Sequence, residues 1–201
     1  MLAANSVSAD DALRRLIDGN ERFQRGETRF PRLQKEILAQ LAHGQHPYAT
    51  ILGCSDSRVP PELIFDAGLG ELFVVRVAGN VLSPEVSGSL QYAGAHLNTS
   101  LFVVLGHDGC GAVKAALDTK MYGIQQRSRI QILVDNILPG LPDIDPHLPP
   151  SVQLERAVEA NVRWTMRQIA DSPEGKAAVA EGRMKLVGGI YEIGSGCVRF
   201  L

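Results

Sequence analysis

Leu101-Phe102-Val103-Val104-Leu105-Gly106-His107-Asp108-Gly109-Cys110-Gly111 decides how the rest of the chain is read. Five apolar residues in a row form a strand buried on both faces, and the glycines after them allow a tight turn carrying a histidine and a cysteine. A second stretch has the same plan. The short apolar run from Tyr48 to Leu52 leads into Cys54-Ser55-Asp56-Ser57-Arg58. In an open α/β sheet, ligands bind beyond the carboxyl ends of parallel strands, so two such ends can bring Cys54, His107 and Cys110 together.

Working outward, strands and helices alternate: strand 48–53, a turn or short helix at Pro60-Pro61, strand 72–77, helix 84–97, strand 101–106 and helix 110–119. Repeated strand-helix order with near-continuous apolar strands predicts an α/β fold, a mostly parallel central sheet covered by helices. Helix 84–97 opens at Pro84 and keeps Val86, Leu90, Ala93 and Leu97 on one side. Gly88 and Gly94 weaken it, which calls for a tight helix crossing there, within the chain or between subunits. Residues 121–138 read as a further helix and 139–150 as a proline-rich connection, followed by a helix over 151–171 through Leu154, Val158, Val162, Thr165 and Ile169. Pro173 starts another short helix. The chain ends in a hairpin: Lys185 to Ile193, the turn Gly194-Ser195-Gly196, then Cys197 to Leu201, an antiparallel addition to the sheet edge. Cys197 is expected as a buried strand residue.

Before the sheet, Ser8 can cap a helix running to about Arg25 whose stripe is Leu13, Leu16, Ile17 and Phe23. A second helix follows Pro31 and carries Leu33, Ile37, Leu38 and Leu41. The expectation is one domain over 1–201, with a helical arm at 1–45 and an α/β core at 46–201. The arm either folds back over its own sheet or packs on a partner subunit.

At 201 residues with 45% hydrophobic and 21% charged content, the chain has the composition of a soluble globular protein. A net charge of -2 offers no basic field for nucleic acid or anionic membrane. The apolar runs fall far short of a membrane span, and Met1 to Ala9 lacks the pattern of a secretory leader. Three cysteines, two of them in ligand positions, suit a reducing compartment, so a cytoplasmic location is expected.

Two thiolates and one imidazole suit zinc, and three protein ligands leave a fourth position for water, the catalytic arrangement. Two thiolates also neutralise zinc, which makes its water less acidic than in a site of three imidazoles, where the pKa is about 7. Asp56 and Arg58 lie close enough to face the metal. Asp56 can accept the hydrogen of the attacking oxygen, and a bidentate Arg58 holds the carboxylate off the zinc. Gly109 and Gly111 permit the turn into a helix whose amino end favours the Cys110 thiolate. His43 and His46 read as surface residues, and His96 and His147 as structural ones.

These residues resemble the β-class carbonic anhydrases. The resemblance is carried by Cys54-Ser55-Asp56-Ser57-Arg58-Val59-Pro60, by Gly70-Glu71-Leu72-Phe73-Val74-Val75-Arg76 with Ala78-Gly79-Asn80, and by Gly106-His107 with Cys110-Gly111. It implies one zinc per chain on Cys54, His107 and Cys110, an Asp56-Arg58 catalytic dyad, and reversible hydration of carbon dioxide. It further implies a substrate pocket from Gln45, Phe73, Ala78, Tyr92 and Gly111, with Gln45 hydrogen-bonding bicarbonate and Ala78 standing where many members carry valine. A branch of the family with a second, inhibitory bicarbonate pocket needs a tryptophan where this chain has Ile51, so the resemblance is to the always-open branch. A homodimer built from the sheet edge and the amino-terminal helices, or a dimer of dimers, is implied as well. Two other readings use the same residues: hydrolysis of carbon disulfide or carbonyl sulfide, and a non-catalytic zinc protein closed by a fourth ligand.

Overall fold

The computed structural model describes residues 7–29 and 35–201, apart from the side chains of Lys35 and Glu36. Its centre is a five-stranded sheet in the order β2-β1-β3-β4-β5, formed by β1 (Ala49–Gly53), β2 (Leu72–Arg76), β3 (Leu101–His107), β4 (Lys185–Tyr191) and β5 (Val198–Phe200). β1 pairs in parallel with β2 and β3, and β3 with β4, while β5 runs antiparallel to β4. The carboxy-terminal hairpin therefore has one strand in the parallel sheet and one on its edge. β1 and β3 are buried along their whole length, as their unbroken apolar sequences require.

Helices α1 (Ala9–Gln24), α2 (Lys35–Leu41), α3 (Pro61–Ile64), α4 (Pro84–His96), α5 (Gly111–Tyr122), α6 (Ile130–Ile137), α7 (Pro150–Asp171) and α8 (Pro173–Ala180) surround it. Ser8 caps α1 by accepting the Asp11 amide at 3.1 Å. α1 packs on its own core, burying Ala12, Leu16, Gly19 and Asn20. Ile17 is 37% exposed, because the core meridian runs through the smaller Ala12 and Gly19 and leaves Ile17 to one side. An added Cβ at Gly19 would lie 1.9 Å from the Phe65 carbonyl, so only glycine permits this approach. In α2, Ile37 and Leu38 are exposed; Pro31 and Leu33 lie outside the described residues.

Two further expectations change. The helix expected over 121–138 is split: Gly123 adopts a left-handed conformation (φ 69°) that ends α5, and α6 begins only at Ile130. Cys197 is a half-buried loop residue before β5, its amide donating to Ser195 Oγ at 3.2 Å. At the α4 glycines the described chain supplies no tight helix crossing, since Gly94 faces the Phe102 ring of β3 and Gly88 faces open space, so of the two expected crossings only the one between subunits stands.

Candidate metal centre and active site

β1 ends at Gly53 and β3 at His107, and their pairing sets Gly53 opposite Leu105, so Cys54 and His107 emerge side by side. The loop after β3 returns Cys110 to the same point, where it forms the amino cap of α5. One sulfur or nitrogen from each of Cys54, His107 and Cys110 lies within 4.8 Å of the others, and they are 4%, 1% and 1% exposed. No other such cluster occurs among the described residues.

The donor set fits a metal. His107 Nδ1 lies 2.8 Å from the Asp108 carbonyl, which can only accept, so Nδ1 carries the proton and Nε2 keeps its lone pair. Nε2 is buried and has no hydrogen-bond partner. A buried acceptor without a donor is costly, and a cation resolves that cost. The sulfurs support the same conclusion. The hydrogen bond from Cys110 draws Cys54 down to about 4, and the Gly79 and Asp56 amides add to this. The same contact with Cys54, then burial, pushes Cys110 well above the ordinary thiol range, while the Ala112 and Val113 amides in the first turn of α5 act in the opposite direction. Two adjacent sulfurs that cannot share ionisation are what a divalent cation between them removes. Burial lowers His107, but the charge of the nearby Cys54 thiolate and the bond to the Asp108 carbonyl leave it above its ordinary value.

Asp56 and Arg58 stand beside the cluster. Arg58 donates from Nε to Asp56 Oδ1 at 2.9 Å and from Nη2 to Oδ2 at 2.7 Å, and its amide donates to Oδ1 at 3.0 Å. This fork holds the Asp56 carboxyl far below the usual carboxylate range. Oδ2 also lies 3.9 Å from His107 Nε2, so the carboxylate borders the metal centre while committed to Arg58.

Other supports were not evident from spacing. Arg76 donates from Nε to the Cys54 carbonyl at 2.9 Å and from Nη2 to the Asp56 carbonyl at 2.5 Å, clamping the loop that carries ligand and dyad. The 3-10 turn Ala78–Asn80 leans over Cys54, whose Sγ accepts amides from Asp56 and Gly79 at 3.4 Å each. Ala78 opens that turn, and Gly111 follows Cys110 in sequence.

Gln45, Phe73 and Tyr92 are elsewhere. Gln45 precedes β1 and Cys54 follows it, separated by a strand that rises about 3.3 Å per residue. Gln45 and Tyr92 line a shallow groove of about 630 Å³ with Leu41, His43, Gly70 and Leu97. Phe73, near the amino end of β2, meets Tyr92 at 6.1 Å between ring centroids. Within one chain, the expected substrate pocket is divided between opposite ends of the sheet. His43, His46, His96 and His147 are all exposed.

A family model described as carbonic anhydrase matches residues 49–198. Carbonic anhydrase 2 of Mycobacterium tuberculosis is 40% identical over 200 residues, covering 96% of this chain and 91% of that protein. The carbonic anhydrase of Mycolicibacterium smegmatis is 37% identical over 97% of this chain and 93% of its own. Among solved structures, the β-carbonic anhydrase CcaA aligns with a TM-score of 0.75 at 29% identity, over 94% of each chain. A match to tetrameric β-carbonic anhydrases from Sordaria macrospora has a TM-score of 0.74 at 26% identity, over 84% of this chain and 87% of that one.

Proposed function

The chain belongs to the β-class carbonic anhydrases and catalyses the reversible hydration of carbon dioxide to bicarbonate and a proton, and on that premise we propose that Cys54, His107 and Cys110 hold one zinc ion while Asp56 and Arg58 form the catalytic dyad. When bound, zinc supplies Lewis acidity that makes water a nucleophile near neutral pH. The protein supplies orientation. Asp56 accepts the hydrogen of the attacking oxygen and turns a lone pair toward carbon dioxide. Arg58 keeps both carboxylate oxygens committed, so Asp56 does not become a fourth ligand. Arg76 fixes the loop, and burial of the ligands excludes competing water from the metal's protein side.

The observation that carries this reading is the Arg58 fork on a carboxylate 3.9 Å from His107 Nε2. It leaves the closed, non-catalytic site without a fourth ligand among the described residues. Stopped-flow hydration with an indicator dye tests it. Asp56→Asn should retain zinc and lose about 10²-fold or more in turnover, the range of general acid-base groups. Full activity in that variant would remove Asp56 from the mechanism.

Gln45, Phe73 and Tyr92 complete the pocket from a second copy. β2 is an edge strand with mostly half-buried residues; Leu69, just before it, and Tyr92, which meets Phe73 of β2, are 48% and 47% exposed. A two-fold axis at that edge runs the β2 strands antiparallel, setting the amino-end group of one protomer beside the partner's carboxyl-end metal centre. Gln45 then hydrogen-bonds bicarbonate across the interface, and Gly111 leaves its approach open. The tetrameric relatives make a dimer of dimers a reasonable larger assembly. Ile51, buried in β1, stands where the inhibitory pocket needs tryptophan, which favours the always-open branch. No helix among the described residues is long and apolar enough to cross a membrane. Free Cys54, Cys110 and Cys197 favour the cytoplasm.

A further inference from the structure

α7 supports the metal centre without contributing a ligand. Asn161 and Thr165, one helical turn apart and 1% and 0% exposed, both reach the Ala78–Asn80 turn. Asn161 donates from Nδ2 to the Gly79 carbonyl at 2.8 Å, and Thr165 donates from Oγ1 to the Asn80 carbonyl at 3.2 Å. The far side of that turn meets Cys54, whose sulfur accepts the Gly79 amide at 3.4 Å. Gly79 is left-handed (φ 72°, ψ 16°), and an added Cβ would lie 2.9 Å from Ile137 Cδ1 and 3.0 Å from Ala112 Cβ. The turn is therefore gripped between α7, α6 and α5. The same helix presses Val162 onto Gly106, where a Cβ would lie 2.5 Å from Val162 Cγ2, directly before His107.

Asn161 is a poor choice for packing alone. Its Oδ1, like Asn80 Nδ2, is buried without a hydrogen-bond partner, a costly arrangement that leucine would avoid. Its one hydrogen bond goes to the residue whose amide faces a metal-ligating sulfur.

We propose that Asn161 is a positioning residue of the metal centre: by holding the Gly79 carbonyl it aims the Gly79 amide at the Cys54 sulfur, and that N–H···S bond fixes the thiolate and withdraws charge from it. This inference rests on the zinc reading above. Outer partners of this kind alter metal affinity by about 10–100-fold when removed.

The test uses the full chain loaded with 113Cd or Co(II). In the wild-type protein, the Gly79 amide proton shows scalar coupling to 113Cd through the Cys54 sulfur. Asn161→Leu abolishes that coupling, moves the sulfur-to-cobalt charge-transfer band to lower energy and weakens zinc binding about tenfold. Gln153→Leu is the control, because Gln153, eight residues earlier on α7, also donates its amide to carbonyls, those of Pro146 and Leu148. It lowers stability and leaves coupling and band in place. Absence of the wild-type coupling overturns the proposal even if Asn161→Leu fails to fold. So does a band that stays in Asn161→Leu or moves equally in Gln153→Leu. A chain that shows no sulfur-to-cobalt band at all instead overturns the zinc reading on which the proposal stands.

Discussion

At the carboxyl ends of β1 and β3, Cys54, His107 and Cys110 are at most 4% exposed, and the surrounding amides, Asp108 and Arg76 hold them in place. At the amino ends, Gln45 lies exposed in an open groove and Tyr92 is 47% exposed, touching only Phe73 and His96 among the aromatic rings described. The first region is closed and fully supported within one chain, whereas the second is open to solvent in it. Metal chemistry needs positions fixed to fractions of an ångström, which a packed sheet supplies. Substrate enclosure needs only a wall, and an edge strand can take that wall from a second copy.

The largest effect should come from removing a ligand at the closed end. Cys54→Ala is expected to lose zinc and essentially all hydration activity, while Gln45→Ala keeps its metal and loses activity only in part. Metal content per chain, read beside stopped-flow rates, checks this. Zinc loss in Gln45→Ala would erase the distinction between the two regions.

Cross-complementation gives the next effect. If Gln45 serves the partner's metal centre, mixing and reassociating Gln45→Ala with Asp56→Asn chains in equal amounts places one intact site in each mixed dimer. Half the dimers are mixed and half their sites are intact, so about one quarter of the sites should regain wild-type activity. No recovery above the two parents would mean that Gln45 acts in its own chain or not at all.

The two regions were unequally legible in the sequence. Cys54, His107, Cys110, Asp56 and Arg58 could be read because each follows an apolar strand by a few residues, so local geometry delivers them. Asn161 could not: on an amphipathic helix it reads as a polar residue, and its partner Gly79 is 82 positions away in sequence. Asn20 was hidden for the same reason, and Ile17 misled because a small-residue meridian buried more closely than a large one. Gln45, Phe73 and Tyr92 were proposed only by resemblance, since no spacing within one chain groups them with the metal centre. The split at Gly123 needed a left-handed turn that the helical period of 121–138 conceals.

A smaller effect concerns charge at the closed end. Arg58 depresses the folded-state pKa of Asp56, so the pair contributes stability above the unfolded carboxylate value of about 4 and loses it as pH falls through the folded value. A carboxyl 13C titration should find Asp56 ionised across the mildly acidic range in wild type, with its midpoint moving up toward about 4 in Arg58→Ala. Hydration activity should still rise through mildly alkaline pH in wild type, because Asp56 is already ionised there. A rise that follows the Asp56 titration would assign the alkaline limb to the wrong group.

The smallest effect on activity should come from α1, although its effect on stability is substantial. Asn20 donates from Nδ2 to the Ile64 and Gly196 carbonyls at 3.1 and 2.8 Å, and its Oδ1 accepts the Val198 amide at 2.9 Å. One buried side chain thus ties α1 to α3 and to the entry of β5, on the side of the sheet away from the open β2 edge. Asn20→Ala strands three backbone groups, which should cost about 2–3 kcal/mol. For a chain of this size that corresponds to a Tm lower by roughly 5–10 °C. Zinc content and turnover at 25 °C should hardly change, because α1 contributes neither a ligand nor a member of the dyad. A variant that unfolds no earlier would show that α1 is not held by this chain's own core in solution. Loss of the dimer with the fold intact would move α1 to the side of the comparison that depends on a second copy.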